Sequence, residues 1–328
     1  MRYSYFIAAS GLLASVSGHG LVTSIQGANG VSMPGLSRKI PSNSRPTANI
    51  MKRIILTSPS QVIDGTPRDC ITPGCGAEAD TSIIRNKELG TSKASALGRT
   101  NGGGPIDAAA MIASFMGGAD AASANTSSTA ASADSAKSTK ANKKNNSVAR
   151  ALGGLLSGLT GGGSKNQGTK STEAQETSVA AAAGKGASSG LPTCADDGSI
   201  TLTYRQINQD GAGPLTADVD GTSGGTDVSA FKSAEVTQDV PGLPAGGLSL
   251  ATNTDFPVTV QMPAGMTCDA SVGGADNVCI VRVRNGALAG PFGGSAAFTQ
   301  STAAKKRAIE YRLKKRAEEE KNQYRRLR

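Results

Sequence analysis

The chain has 328 residues, a formal net charge of +9, a single histidine and no tryptophan. With 38% hydrophobic and 3% aromatic residues and 42 glycines, it cannot build a large aromatic core, and one histidine excludes sites that need two imidazoles, such as His-rich zinc sites and paired-histidine copper centres. We expect a sparse core, long unstructured stretches and a function outside conventional enzymology.

Residues 1–18 have the features of a secretory signal peptide. A basic residue, Arg2, precedes an apolar run from Tyr5 to Val16, and the segment ends in the small residues Ser17 and Gly18. The run is too short to span a bilayer, and no other run approaches the necessary length of about 20 apolar residues, so no transmembrane segment is expected. The sequence predicts a secreted or cell-surface protein in which disulfides form.

Cleavage after Gly18 would make His19 the mature N-terminus. An N-terminal histidine can chelate copper through its amine and ring nitrogen, which is half of the histidine brace of lytic polysaccharide monooxygenases. The brace needs a second imidazole, which this chain lacks. No cofactor is therefore expected, and copper at His19 stays open as the alternative.

Residues 19–119 form the N-terminal part of the predicted folded domain. Leu21–Met33 reads as a short strand followed by a glycine turn, and Asp107–Met116 as a helix capped by Asp107. Between them lies a basic stretch, residues 38–61, with five Lys or Arg and no acid. A turn-rich segment with Cys70 and Cys75 follows it.

Residues 120–192 are predicted to be a disordered linker. This stretch consists mainly of Ala, Ser, Thr, Gly, Lys and Asn, so it cannot bury enough apolar area to offset the entropy of ordering. Two sequons make Asn125 and Asn145 candidate glycosylation sites, because an exposed glycan is easily accommodated there.

Residues 193–300 are predicted to be β-rich. Four segments alternate between apolar and polar residues and are separated by turns with Gly, Pro and Asp. They are Ser199–Asn208, Ala230–Val240, Phe256–Met262 and Val278–Arg284. The fold class is therefore mainly β, a small antiparallel β-sandwich supported by disulfides. The acidic pairs Asp196/Asp197 and Asp218/Asp220 are interpreted as solvated or turn-forming residues rather than a glycosidase dyad.

The five cysteines suggest two disulfides and one odd thiol. Cys268 and Cys279 bracket a hairpin-like loop and are the best disulfide candidates. Cys70, Cys75 and Cys194 then leave one pair and one free thiol, with the connectivity undecided.

Residues 301–328 are predicted to form a basic helical tail. From Lys305 onward it holds eleven Lys or Arg and four Glu, with a favourable Glu310–Lys314 pair one turn apart. Four interpretations compete: a solvated helical tail, an anchor for an anionic wall or membrane, a nuclear signal that conflicts with the leader, and a substrate for a dibasic-site protease. Nucleic acid is not an expected partner.

Several segments resemble a known protein family. They are HGLVTSIQGANGVSMPGLS, DGTPRDCITPGCGAEADTSI, ELGTSKASALGRTNGGGPIDAAAMI, QINQDGAGP, FPVTVQMPAGMTC and VCIVRVRNGALAGPFGG. Together they are similar to the appressorium-specific secreted virulence factors of pathogenic fungi, the gEgh/MAS/GAS-type proteins. The resemblance implies a role in host penetration without established catalytic activity, and a host surface or the fungal cell wall and extracellular matrix as partners.

The sequence departs from the family pattern at three positions and in one segment. Relatives often carry His at the position of Arg205, which would be the missing brace ligand. They also tend to carry Cys near Ala217 and Val283, so this chain would have lost one disulfide as a unit. Residues 38–61 have no counterpart, and we interpret them as a translated intron, with a genuine basic loop as the alternative.

Three functions are compared on this basis. The leading one is a non-enzymatic, secreted or surface-associated virulence factor of the infection cell. The second is a copper monooxygenase-like protein that attacks wall polysaccharide through His19. The third is a structural wall component tethered by its linker and tail. Retention inside the appressorium is the alternative location.

Overall fold

The computed structural model describes residues 19–36, 81–100, 104–118, 168–172, 176, 178–243 and 246–327. The predicted signal peptide and the suspected intron at residues 38–61 lie outside these ranges. The same holds for four candidate site residues: Cys70, Cys75, Asn125 and Asn145. The predictions made for them stay predictions.

The described chain is built mainly of strands, with four helices. The strands are β1 Gly20–Gln26, β2 Ser32–Pro34, β3 Ser82–Ile83, β4 Arg99–Thr100, β5 Gly104–Pro105, β6 Thr169–Lys170, β7 Ser199–Gln206, β8 Thr216–Asp220, β9 Phe231–Gln238, β10 Thr254–Gln261, β11 Ala270–Val272, β12 Ala275–Arg284 and β13 Phe292–Thr299. The helices are α1 Ala108–Phe115, α2 Ser178–Ala182, α3 Gly186–Ser189 and α4 Thr302–Arg326.

The strands form one continuous antiparallel sheet in the order β2-β1-β7-β10-β9-β8-β12-β13-β3-β4-β5. The sheet has two halves, which are joined by strand β9. Phe231–Ala234 of this strand pairs with β8 in one half, and Glu235–Gln238 pairs with β10 in the other. The halves face each other: a Cβ on Gly294 of β13 would lie 2.8 Å from the main-chain nitrogen of Val22 in β1. The predicted mainly β, antiparallel class is confirmed, and the two layers are halves of one curled sheet.

The core forms where alternating strands lie in register. In β10, Phe256, Val258 and Val260 are buried, whereas the residues between them are more exposed. They pair with Tyr204, Leu202 and Ile200 of β7, respectively, so both strands present the same apolar face. Fully burying each such side chain contributes about 1.5–3 kcal/mol, which explains why the alternation predicted these two strands.

The Cys268–Cys279 disulfide predicted from the sequence is confirmed. Its Cα atoms are 4.9 Å apart, and both residues are buried. The bond ties the segment before β11 to the central strand β12. Among the described cysteines, Cys194 is a free thiol, and burial raises its pKa.

The structure corrects the C-terminal end of the predicted linker. Within residues 120–192, strand β6 pairs with β10, and helices α2 and α3 lie close to the body of the domain. A Cβ on Gly186 of α3 would lie 2.5 Å from the ring of Phe115 in α1, and Leu191 is buried. Small residues adopt regular structure here because they pack on the apolar surface of α1, a helix that is far away in the sequence. The composition of the segment alone does not reveal this contact.

The basic tail is helical, as predicted. Ser301 caps α4 by accepting a hydrogen bond from the Ala304 N–H at 3.1 Å. Only Ala304 and Ala308 of this helix are buried, and Arg312 donates to Thr267 Oγ1 at 2.9 Å. None of the helices in the described ranges combines the length and apolar character needed to cross a bilayer.

The two positions at which the family resemblance implies cysteines in relatives lie directly opposite each other. Ala217 of β8 and Val283 of β12 are register partners and both are buried. Because paired antiparallel residues come close enough for a disulfide, the double variant Ala217→Cys/Val283→Cys is expected to form one. The bond should raise the free energy of unfolding by about 2–4 kcal/mol in denaturant titrations without reductant.

The single variant Ala217→Cys is the control for this gain and should show none of it. Peptide mapping that finds both introduced thiols reduced under oxidising conditions would contradict the predicted pairing.

Candidate functional site

Three segments that carry the family resemblance meet around His19. They are the start of β1, the 3-10 turn Gln209–Gly211 after β7, and the hairpin between β12 and β13. We call this region the His19 corner and define it by His19, Asn208, Gly211, Asn285 and Phe292. It is the candidate functional site because the only histidine of the chain lies in it.

His19 is buried and engaged through its main chain and its ring. Its ring stacks on Phe292 with centroids 5.0 Å apart and an interplanar angle of 25°. Its main-chain N–H donates to Asn208 Oδ1 at 2.7 Å, and Asn208 Nδ2 lies 3.4 Å from His19 Nδ1. Its carbonyl accepts from the Ile207 N–H at 2.9 Å. Only 5% of the His19 surface is exposed.

Two glycines allow the chain to pass close to His19. A Cβ on Gly211 would lie 2.0 Å from the His19 carbonyl oxygen, and one on Gly20 would lie 1.9 Å from the Tyr204 hydroxyl. The Tyr204 hydroxyl donates to the Gly211 carbonyl at 3.0 Å. Complete burial, with a smaller effect of Asp239 and Asp210, raises the pKa of Tyr204 far above its ordinary value. Tyr204 therefore stays neutral and acts as a structural donor.

Asn285 joins two of the segments. Its Nδ2 donates to the carbonyls of Asp210 at 3.0 Å and Ala212 at 3.1 Å. Its Oδ1 accepts from the N–H groups of Ala287 at 3.2 Å and Phe292 at 3.0 Å. The buried Asn285 amide thus fixes the turn after β7 against the hairpin that supplies Phe292. Both its NH₂ group and its oxygen take part in hydrogen bonds, as expected of a buried polar group.

One buried and one half-buried carboxyl group lie near this corner. Burial raises the pKa of Asp210, whose Oδ1 is buried without a hydrogen-bond partner, and it raises the pKa of Asp239. Asp239 also accepts hydrogen bonds from the N–H groups of Leu215 and Val240. Within the described ranges, no three His, Cys, Asp or Glu side chains are grouped so that they could hold a metal ion.

Arg205 occupies the position at which the family resemblance implies a histidine, the second ligand of a copper brace. Its guanidinium makes a bidentate ion pair with Asp255, at 2.7 Å from Nε to Oδ1 and 2.8 Å from Nη2 to Oδ2. Its side chain is only 4% exposed, so this paired cation is part of the sheet. A paired guanidinium cannot replace a neutral imidazole as a copper ligand, and the His19 ring lies against Phe292. The residues present therefore do not fit a histidine-brace copper site.

His19 and Arg205 were predicted from the sequence as the relevant positions, whereas the residues that surround them were not. Asn208, Asn285 and Phe292 each lie inside a segment that carried the resemblance, namely QINQDGAGP and VCIVRVRNGALAGPFGG. The two motifs therefore already contained these residues. That the two motifs contact each other is seen only in the folded chain.

Comparisons with known proteins show which sequences this chain is similar to. The family model described as "Egh16-like virulence factor" matches residues 56–293. The appressoria-specific virulence factor GAS2 of Pyricularia oryzae strain 70-15 is 53% identical over 317 residues, covering 96% of this chain and 95% of the relative. The appressoria-specific virulence factor GAS1 of the same strain is 36% identical over 129 residues, covering 38% and 50%.

No solved structure matches the chain. The family model covers well over half of it, and GAS2 covers nearly all of it. The chain belongs to the Egh16-like virulence factor family.

Proposed function

We propose that this protein is a secreted or surface-associated, non-enzymatic virulence factor that acts in appressorium-mediated host penetration. The family and the similarity to GAS2 support a virulence role in appressoria. Secretion is supported by the leader-like residues 1–18. The partner would be a host surface or the fungal cell wall and its extracellular matrix.

The construction of the His19 corner is the observation that carries the non-enzymatic part of the proposal. The chain's single imidazole is buried against Phe292 and held by Asn208. Two neighbouring polar side chains are occupied in the same way, because Tyr204 bonds a carbonyl and Arg205 pairs with Asp255. This arrangement supports a structural role for the His19 corner rather than a catalytic one.

A complementation experiment in the producing fungus tests the role and the location together. A strain lacking the gene should penetrate the host less well, and the full-length gene should restore penetration. A gene lacking residues 2–18 should produce protein that stays inside the cell and fails to restore penetration. Restoration by the leaderless form would contradict secretion and favour retention inside the appressorium.

The same strain separates structural from catalytic use of His19. His19→Phe keeps an aromatic ring for the Phe292 stack and removes both ring nitrogens. If the variant accumulates to normal levels, the proposal predicts full restoration of penetration. A variant present at normal levels that does not restore penetration would show that the imidazole itself is required.

A further inference from the structure

Two loops beside the His19 corner expose leucine side chains. Leu288 is 98% exposed, Leu250 77%, Leu243 46% and Leu248 41%. We call these four residues the leucine rim. Every other large apolar side chain that is exposed in the described ranges lies on α4 or at its C-cap, Leu327. A single exposed leucine is common on protein surfaces. Four exposed leucines that are confined to two adjoining loops are not.

The two loops adjoin and are held in place by hydrogen bonds. Asn285 starts the hairpin that carries Leu288, and a Cβ on Gly247 in the other loop would lie 3.0 Å from Asn285 Nδ2. The Gly247 carbonyl accepts from the Ala212 N–H at 3.0 Å, and the Ser249 N–H donates to the Gln209 carbonyl at 2.7 Å. The leucines are therefore presented from fixed backbone rather than from a loose coil.

Cationic side chains lie at the base of both loops. Arg85 donates to the carbonyls of Ala289 at 2.7 Å and Gly290 at 2.8 Å, directly beside Leu288. It shares an open cleft of about 570 Å³ with Lys87, Arg284 and Leu288.

The second loop has its own cation, because the Lys170 ammonium contacts the Thr252 carbonyl. Two of the acids near these cations, Glu88 and Asp255, are in ion pairs, and Arg85 is itself one of the partners. Glu88 binds Arg85 and Arg99, and Asp255 binds Arg205.

We propose that the leucine rim docks the protein on an anionic lipid bilayer. Leucines on separate loop tips can enter the apolar boundary of a bilayer, while the cations behind them meet the headgroup phosphates. A flat protein surface would leave such separate tips partly in water. A second copy of this chain is disfavoured as the occupant, because it would bring Arg85 and Lys87 of both copies together.

The test uses the full chain and vesicles of phosphatidylcholine with or without phosphatidylserine, in a sedimentation assay at physiological salt. We expect binding to the vesicles that contain phosphatidylserine and little binding to phosphatidylcholine alone. The variant Leu250→Gln/Leu288→Gln should weaken binding about tenfold or more, because it removes apolar area without changing the charge. Lys87→Gln should weaken binding to a smaller extent.

The basic helix α4 provides the matched control. Leu313→Gln/Leu327→Gln makes the same exchange at a leucine of that helix and at its C-cap leucine, which are 59% and 81% exposed, respectively. This variant should bind like the unchanged chain. Loss of binding in the helix variant but not in the rim variant would overturn the proposal in favour of α4. Equal binding to both vesicle types, or no binding by the unchanged chain, would also overturn it.

Discussion

Gly211→Ala is expected to lower the free energy of unfolding by about 3 kcal/mol or more. The new Cβ would lie 2.0 Å from the His19 carbonyl oxygen and 2.5 Å from its carbon, and both neighbours are backbone atoms. Neither can rotate away as a side chain would. The turn after β7 must therefore move off β1, which also weakens the hydrogen bond from the Ile207 N–H to the His19 carbonyl.

Denaturant unfolding measures the loss, and NMR of the single imidazole locates it. In the unchanged protein, the ring protons of His19 should be shifted by the stacked Phe292 ring. In the variant this shift should shrink. Gly30→Ala is the control, because Gly30 has a φ of +79° but nothing within 4 Å of an added Cβ. It should cost only about 1 kcal/mol. Equal costs for the two variants would contradict close packing at His19.

Asp220→Asn is expected to destabilise the protein by about 2–4 kcal/mol. Asp220 is fully buried at the end of β8. Its carboxylate accepts from the N–H groups of Thr222 at 2.8 Å, Ser223 at 2.9 Å and Gly225 at 2.7 Å, and from the Ser223 hydroxyl at 2.5 Å. An amide has one acceptor oxygen, so its NH₂ group would face donors that it cannot satisfy.

The same carboxylate predicts a dependence of stability on pH. Burial favours the protonated form of Asp220, but the hydrogen bonds from Ser223, Thr222 and Gly225 outweigh it and lower the pKa below the ordinary value of 3.8. A lowered folded-state pKa stabilises the protein above the unfolded-state pKa, and that contribution is lost as the pH falls through the folded-state value. The free energy of unfolding should therefore fall below about pH 4 in the unchanged protein.

Urea titrations across this acidic range should show a smaller fall for Asp220→Asn, since the variant has no proton to gain there. Asp227→Asn is the matched control, because Asp227 makes similar turn contacts to Ser229 while exposed. It should change stability by less than about 1 kcal/mol. An unchanged acid dependence in Asp220→Asn would contradict the role assigned to this carboxylate.

Local patterns predicted the elements that depend on local physics. Asp107 caps α1 by accepting from the Ala110 N–H at 3.1 Å, as its position before an apolar run suggested. Strands β7, β9, β10 and β12 were found through alternation or branched residues, with boundaries within a few residues of those observed. The Cys268–Cys279 pairing followed from the short loop between them.

Elements stabilised by distant partners could not be predicted in this way. Strand β13 has the sequence FGGSAAFT, in which small residues weaken any strand signal, yet Gly293 and Gly294 allow close approach to β12 and β1. Asp218 and Asp220 were interpreted as solvated or turn-forming residues. Asp220 does organise the turn after β8 through the N–H groups of Thr222 and Ser223, but it is not solvated. Both lie on β8, where Asp218 pairs with Arg282 at 2.8 Å and Asp220 is buried. Their partners include groups 64 residues away, which no local window contains.

The candidate site shows the same division. Sequence identified His19 as a potential ligand because of its place after the leader, and it identified Arg205 as the missing partner. Whether the imidazole is open or packed depends on Phe292, which is brought to it by the hairpin of β12 and β13 in the other half of the sheet. The fit of a copper ion at His19 therefore depends on the folded structure of the His19 corner and could not be predicted from the sequence.

Copper titration of the mature protein, beginning at His19, tests the non-enzymatic assignment most directly. Calorimetry on metal-free protein, with His19→Phe as the reference, should show only weak binding, and peroxide should release no oligosaccharides from cell-wall polysaccharide. Tight binding of one copper ion that is lost in His19→Phe, together with peroxide-dependent cleavage of the polysaccharide, would contradict the assignment.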